Sequence, residues 1–199
     1  MKKPQQRPLT VPARAPLRGE AKLQAALDSF AVDVGGRVAL DVGASAGGFT
    51  RVLLRAGAAR VYAVDVGHGQ LLGSLRQDPR VVNLEATNVS VLDESIIRDV
   101  VDVVVVDVSY MALASAVAQL DRVRFAPGAD LIGLVKPMFE LRLATAPVDR
   151  AVVEDAARRA RAGIEASGWT VLRAIDSPVR GGRGAVEMLL HARLSSPIA

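Results

Sequence analysis

The sequence predicts an α/β domain with a mostly parallel sheet of seven strands, helices on both faces and an antiparallel hairpin at the carboxyl end. Half of its 199 residues are hydrophobic while only 4% are aromatic. This balance favours a Val-, Leu- and Ala-rich sheet buried on both faces over an aromatic-rich β-sandwich. Apolar β-branched runs alternate along the chain with segments of helical periodicity. The length suits a single domain.

Strand and helix patterns alternate from residue 18 onward. Strands are predicted at 37–42, 60–66, 81–85, 102–108, 131–135, 169–175 and 186–193. Helices are predicted at 18–30, 48–56, 70–77, 111–123 and 149–167. The run 102–108 is the most apolar and β-branched, so we expect it at the centre of the sheet. The segment between the last two strands contains Pro178 and the glycines of 181–184 and is too short for a helical crossover, which predicts the hairpin.

The first 16 residues are predicted to form an extended leader, and the domain to span 17–199. The leader contains four prolines and has no sustained apolar periodicity. Five of the first 20 residues are basic and one is acidic, so the net charge of +4 is concentrated there. Two interpretations stay open, an arm that contacts nucleic-acid phosphates or a tail with no binding role.

Composition excludes several classes of site. The sequence has no Cys, which rules out disulfides, thiolate metal sites and cysteine nucleophiles. His68 and His191 lack the spacing of metal ligands, so no metal is expected. The longest apolar run, residues 100–108, contains two aspartates and is far shorter than the about 20 residues of a membrane helix. Because the basic start also lacks the apolar stretch of a secretion signal, we expect a cytoplasmic protein with no membrane contact.

The most informative segment joins the first strand to the next helix through a glycine-rich turn at 43–48. Such a turn lets the backbone approach a ligand closely and directs helix N–H groups toward it. Its spacing is not the G-x-G-x-x-G of dinucleotide-binding proteins, and no P-loop lysine follows it. Asp41 at the strand end instead suits a ligand that carries an ammonium group, as S-adenosylmethionine does and NAD does not.

Two polar residues further along are candidates to hold the rest of such a ligand. Asp65, at the end of the second strand, can accept hydrogen bonds from both ribose hydroxyls of an adenosine, with a capping or turn role as the alternative. Asn88 is expected near the adenine, with a turn position as the alternative. The candidate cofactor-binding residues are Asp41, Gly43, Ala44, Ser45, Gly47, Gly48, Phe49, Asp65, Val66, Asn88 and Asp107.

Six segments together resemble a known family. They are residues 41–50 (DVGASAGGFT), 61–67 (VYAVDVG), 74–81 (SLRQDPRV), 107–109 (DVS), 134–137 (LVKP) and 186–191 (VEMLLH). On these motifs the chain resembles the TlyA (hemolysin A) group of FtsJ-like RNA 2′-O-methyltransferases from about residue 18 to 193. The resemblance implies a Rossmann-like class I methyltransferase fold, with S-adenosylmethionine as cofactor and S-adenosylhomocysteine as product. It also implies RNA as the substrate, and ribosomal RNA, alone or in a ribosomal subunit, is the RNA that we expect.

The same family carries a Lys-Asp-Lys-Glu tetrad, which matches Lys22, Asp107, Lys136 and Glu187 in this sequence. Independently of the family, Asp107 and Lys136 end neighbouring apolar strands at the edge of the sheet where α/β proteins bind ligands. Taken singly, Lys22 would be an exposed helix lysine and Glu187 a solvent-facing strand residue. Only their place in the set of four raises them to candidate catalytic residues.

The chemistry explains why two lysines are needed. A ribose 2′-hydroxyl is a poor acid, so a base must remove its proton as its oxygen attacks the methyl group. An isolated lysine amine has a pKa of about 10.4 and is protonated at neutral pH, but a second lysine and partial burial favour the neutral form. We therefore expect Lys136 to be the general base and Lys22 to tune it or steady the developing alkoxide. Asp107 and Glu187 are expected to hold the two ammonium groups.

The sequence departs from the family in three places. Family members carry an N-terminal S4-type RNA-binding domain, where this sequence has the proline-rich leader. Glu20 stands where the family has a glycine, and the loop that follows Pro137 is shorter. Two alternatives therefore stay beside ribosomal RNA methylation: an O-methyltransferase of a nucleoside, antibiotic or other small molecule, and a noncatalytic RNA-binding factor.

Overall fold

The structure of the protein is a computed structural model that describes residues 16–195. The predicted leader, apart from Pro16, lies outside the described residues, so its role stays a prediction. The strands are β1 (Val38–Val42), β2 (Arg60–Val64), β3 (Val81–Leu84), β4 (Val101–Val106), β5 (Phe125–Val135), β6 (Trp169–Asp176) and β7 (Met188–Leu194). The helices are α1 (Arg18–Phe30), α2 (Gly48–Arg55), α3 (Gly73–Arg76), α4 (Leu113–Ala118), α5 (Pro137–Glu140) and α6 (Arg150–Ala166).

The seven strands form one sheet in the order β3-β2-β1-β4-β5-β7-β6. Strands β1 to β5 pair in parallel, and β7 lies antiparallel between β5 and β6. The predicted mostly parallel sheet with an antiparallel carboxyl-terminal hairpin is therefore confirmed. The strand order reverses between β1 and β4, which is the point where open α/β sheets form their ligand crevice.

Helices cover both faces of the sheet, as predicted. On one face, α1 and α2 contribute buried side chains such as Leu23 and Leu53. On the other face, α4 and α6 contribute side chains such as Leu113 and Ile164. In the central strand β4, every side chain except Asp102 is buried. Along the described residues, no helix combines the length and apolar character needed to cross a bilayer.

Several predicted boundaries differ from the structure. The helices predicted at 70–77 and 111–123 span only Gly73–Arg76 and Leu113–Ala118, and the short helix α5 was not predicted. Two differences in the strands bear on the site. Strand β5 begins at Phe125 rather than at 131, because the chain passes through Pro127 and Gly128 in a bulge that shifts its register against β4. Proline and glycine are strong breaking signals in a sequence, but a bulge at a strand end accommodates both. Glu187 lies immediately before β7 instead of inside it. This placement leaves its carboxylate at the carboxyl edge of the parallel strands.

A buried carboxylate, Asp130, ties β5 to its neighbours. It accepts hydrogen bonds from Arg37 at 2.9 Å, from Arg193 at 3.1 Å and from His191 Nε2 at 2.8 Å. Burial alone would raise the pKa of Asp130, but the hydrogen bonds from His191, Arg37 and Arg193 outweigh burial and lower the pKa to about 2. The cluster therefore stabilises the ionised carboxylate within the sheet.

Replacing Asp130 with Asn should destabilise the protein at neutral pH and reduce its sensitivity to acid. A carboxylate with a depressed pKa contributes stability above its unfolded pKa of about 3.9 and loses it as the pH falls through the folded value. The difference in free energy of unfolding between the wild type and Asp130→Asn should therefore shrink from about pH 4 downward, as measured by urea unfolding. Asp121→Asn, an exposed position, is the control. A difference that does not vary with pH would contradict this account.

Candidate active site

The glycine-rich turn between β1 and α2 approaches the end of β4 closely. Gly43 has a φ angle of 91°, and a Cβ atom there would overlap the carbonyl group of Asp107. Gly47 has a φ angle of 94°, and a Cβ atom there would overlap Leu75. Ser45 also adopts the left-handed conformation, with a φ of 48° that is uncommon for a residue other than glycine. The turn therefore requires glycine at 43 and 47 for its shape.

A crevice opens between this turn and the carboxyl ends of β2 and β4, and Asp65 forms part of its wall. Asp65 Oδ2 accepts a hydrogen bond from the Ser45 backbone N–H at 2.8 Å, and Oδ1 accepts one from the Gly67 N–H at 2.7 Å. Each carboxylate oxygen has further acceptor capacity, so the group can still receive ligand hydroxyls. The apolar side chains of Val66 and Val89 line the same crevice.

Asp41 lies beneath the turn rather than in the crevice wall. Its side chain is fully buried, and its Oδ2 accepts a hydrogen bond from Thr50 Oγ1 at 2.6 Å. Burial raises the pKa of Asp41 to about 7; the Thr50 hydrogen bond opposes this shift, and the charges of Asp107 and Asp65 add to it. Its Oδ1 is buried and has no hydrogen-bond partner among the described residues. The contact with a ligand ammonium group stays a prediction.

The remaining predicted cofactor residues divide between the crevice and its surroundings. Ala44, Gly48 and Phe49 line a smaller adjoining pocket together with the start of α1. Asn88 is not among the residues that line the crevice. Its Oδ1 accepts a hydrogen bond from the Ser90 N–H at 3.0 Å and caps a short 3₁₀ turn, as in the turn alternative, and its contact with adenine stays a prediction. Sequence reasoning missed four polar residues that line the crevice, and their only signal is a position near the ends of strands: Gln70, Thr87, Ser109 and Tyr110.

The first of two lysine–carboxylate pairs joins α1 to the segment before β7. Lys22 Nζ donates a hydrogen bond to Glu187 Oε2 at 2.6 Å, and both side chains are buried. Gly181 makes room for this pair, since a Cβ atom there would overlap the Glu187 carboxylate. Lys22 is therefore no solvent-exposed helix lysine, and Glu187 does not face solvent.

Glu20, the departure from the family pattern, fixes the start of α1 instead of adding charge beside Lys22. Its carboxylate accepts hydrogen bonds from the Leu17 N–H at 3.0 Å and from Arg51 and Arg55 of α2 at 2.7 and 2.8 Å. Burial alone would raise the pKa of Glu20, but the Leu17 hydrogen bond and the two arginines lower it. The helix that carries Lys22 is thus fastened to the helix that begins at the glycine-rich turn.

The second pair lies at the ends of the adjacent parallel strands β4 and β5. Lys136 Nζ lies 2.5 Å from Asp107 Oδ1 and donates a hydrogen bond to Ser109 Oγ at 2.7 Å. The two pairs do not exchange partners, yet all four members line one cleft of about 930 Å³. Asp107 lines both this cleft and the crevice beside Asp65. The structure therefore brings the predicted tetrad together at the mouth of the crevice.

These residues fit an S-adenosylmethionine ligand. Asp65 offers carboxylate oxygens to ribose hydroxyls, Val66 and Val89 offer apolar contact, and the glycines at 43 and 47 give the turn its close approach. The buried, unpartnered Oδ1 of Asp41 is an acceptor beneath the same turn. These carboxylate acceptors suit a neutral or cationic adenosine derivative better than a nucleoside triphosphate. The turn also lacks the P-loop lysine that would contact the phosphates of a triphosphate.

Comparison with a solved structure supports the class of fold. The S-adenosylmethionine-dependent methyltransferase candidate from Listeria monocytogenes aligns with a TM-score of 0.62 over 89% of this chain and 99% of that chain, at 16% identity. The order of the strands, the position of the crevice and this structural alignment all indicate the Rossmann-like fold of class I methyltransferases. The chain therefore has the fold of class I methyltransferases.

More narrowly, the chain belongs to the FtsJ-like methyltransferase family, whose model matches residues 16–194. It is 44% identical over 182 residues to the 16S/23S rRNA (cytidine-2′-O)-methyltransferase TlyA of Mycobacterium tuberculosis, covering 88% of this chain and 67% of that protein. A candidate hemolysin structure from Streptococcus thermophilus aligns with a TM-score of 0.86 at 32% identity, covering 94% of this chain and 70% of that chain. The predicted family is confirmed.

Replacing Asp65 with Ala should weaken cofactor binding, because the ribose would lose a charged acceptor and the Ser45 N–H of the turn would lose its hydrogen-bond partner. Hydrogen bonds to a charged group contribute about 1.5–3 kcal/mol, which corresponds to roughly a 10- to 100-fold rise in Kd. Titration calorimetry with S-adenosylhomocysteine measures this change. Asp99→Ala is the matched control, since Asp99 contacts Arg60 and Tyr62. Equal affinity in wild type and Asp65→Ala would remove Asp65 from the site.

Proposed function

We propose that the chain transfers a methyl group from S-adenosylmethionine to a ribose 2′-hydroxyl of ribosomal RNA in the cytoplasm. The observation that carries the proposal is the convergence of Lys22, Asp107, Lys136 and Glu187 on one cleft beside the cofactor crevice. The Mycobacterium tuberculosis relative is a 16S/23S rRNA (cytidine-2′-O)-methyltransferase, which supports the choice of acceptor.

Lys136 is the residue placed to take the proton of the attacking hydroxyl. When bound, S-adenosylmethionine supplies an electrophilic methyl group, and the acceptor oxygen must lose its proton as it attacks. The Lys136 and Asp107 side chains are 13% and 21% exposed, whereas Lys22 and Glu187 are 8% and 4% exposed. A base must be reached by its substrate, so the more open pair supplies the base.

Lys22 and Glu187 have a different part in this proposal. Glu187 holds the Lys22 ammonium group in a fixed position, where its charge lies at the wall of the acceptor cleft. A positive charge that is already fixed in place stabilises the negative charge that develops on the acceptor oxygen. No side chain then has to move during the reaction. Asp107 holds Lys136 through its own ion pair and lies where the crevice and the cleft meet.

RNA fits the cleft in size and in charge. Its volume of about 930 Å³ lies in the range of pockets that hold a molecule of nucleotide size. Arg18 lines the cleft and is exposed, so its guanidinium group is available to a phosphate. The cleft lining has three cationic side chains, Arg18, Lys22 and Lys136, against the carboxylates of Asp107 and Glu187, and this excess of positive charge favours a polyanionic partner. Ribosomal RNA, free or within a ribosomal subunit, is the partner we propose.

Replacing Lys136 with Ala or with Arg should greatly lower the rate of methyl transfer and leave cofactor binding intact. Arg keeps the positive charge beside Asp107 but does not give up its proton, so it separates the base from the ion pair. General base catalysis contributes roughly 10²- to 10⁴-fold to a rate, and a loss of that size is expected in both variants. Transfer of labelled methyl groups to unmodified ribosomal RNA, with mass mapping of 2′-O-methyl nucleotides, measures it.

Two results would contradict the proposal. Wild-type activity in Lys136→Arg would remove Lys136 as the base. Transfer by the wild type to small hydroxylated acceptors but to no RNA would replace ribosomal RNA as the substrate. Calorimetry with S-adenosylhomocysteine on each variant separates a loss of chemistry from a loss of cofactor binding.

A further inference from the structure

Ser109 is the hydrogen-bond acceptor of Lys136 among the described residues. Its Oγ lies 2.7 Å from Lys136 Nζ, whereas Asp107 Oδ1 lies 2.5 Å from the same nitrogen as an ion-pair partner without a hydrogen bond. Asp107 and Ser109 belong to the three residues that follow β4, and Lys136 follows β5. Ser109 lines both the cofactor crevice and the acceptor cleft. It is thus placed where the two ligands meet.

The geometry of an amine gives this hydrogen bond a specific effect. A neutral lysine amine has two N–H bonds and one lone pair, arranged with the Cε bond as the four corners of a tetrahedron. Ser109 accepts one N–H bond and so fixes one corner. The negative charge of Asp107 repels the lone pair and attracts the second N–H bond toward its own side, so one corner is left for the lone pair. Lys136 lines the acceptor cleft, so that corner is the one available to a hydroxyl there.

We propose that Ser109 is a positioning residue that directs the lone pair of Lys136 toward the acceptor hydroxyl. The inference rests on the proposed function, in which Lys136 takes the proton of that hydroxyl. Ser109 does not itself exchange a proton with the substrate. Its contribution is orientation, and a misdirected catalytic group lowers the rate of the chemical step without changing the affinity of the enzyme for its substrates.

Ser109→Ala should lower kcat about 10-fold or more, with KM for RNA and Kd for S-adenosylhomocysteine unchanged. Ser109→Thr keeps a hydroxyl acceptor and should retain most of the activity. Ser115→Ala, at an exposed position of α4, removes a comparable hydroxyl and should have wild-type kinetics. In a Lys136→Ala background, Ser109→Ala should cause no further loss, because the group it positions is gone.

A measurement without any methyl acceptor tests the same contact. The sequence has four lysines, so selective ¹⁵N-lysine labelling gives a side-chain spectrum in which Lys136→Arg identifies one signal. The hydrogen-bonded Lys136 signal should be broadened or lost in Ser109→Ala and unchanged in Ser115→Ala. This result stands whether or not RNA is the substrate. Absence of methyl transfer by the wild type would instead overturn the proposed function.

Three outcomes would overturn the positioning role. The first is a higher KM for RNA with an unchanged kcat in Ser109→Ala, which would make Ser109 a substrate contact. The second is an equal fractional loss from Ser109→Ala in the wild-type and Lys136→Ala backgrounds, which would indicate a structural role. The third is a Lys136 side-chain signal that Ser109→Ala leaves unchanged.

Discussion

A lysine ammonium group taken out of water must meet a carboxylate, and Lys22 meets Glu187 at 2.6 Å. Breaking a buried pair by removing one partner leaves an unpaired charge, which costs about 3–5 kcal/mol. The contact spans 165 residues of sequence and joins α1 to the start of β7. Because Glu20 also fastens α1 to α2, one helix fixes both the acceptor cleft and the turn that shapes the cofactor crevice.

Much of the fold and the position of the site could be predicted from sequence because polar residues interrupt apolar strand ends. Asp65, Asp107 and Lys136 each follow a run of buried apolar residues. In a parallel sheet these ends share one edge, so topology alone brings the three residues to the same side of the molecule. The short link before the last strand was enough to predict its antiparallel direction.

The details that depend on side-chain geometry could not be predicted. Nothing in the sequence specifies that Lys22 pairs with Glu187 while Lys136 pairs with Asp107. Ser109 is one serine among many until its hydroxyl is found 2.7 Å from Lys136. Asn88 has the residue type of a ligand contact, and its Oδ1 accepts a local hydrogen bond from the Ser90 N–H that the sequence does not specify. Asn side chains often bond to nearby backbone groups in this way, so residue type alone does not separate a turn asparagine from a ligand contact.

The position of β7 has a consequence for how the enzyme is made. Strand β7, the last strand of the described residues, lies between two strands that leave the ribosome before it. Until it inserts, β5 lacks its outer neighbour, β6 has no partner in the sheet, and Lys22 lacks its counter-ion. A nascent chain can fold its amino-terminal half as it emerges, but the Lys22–Glu187 pair forms only afterwards. In the proposed function, a product truncated before Glu187 would therefore keep its cofactor crevice and lack the fixed charge beside the acceptor hydroxyl.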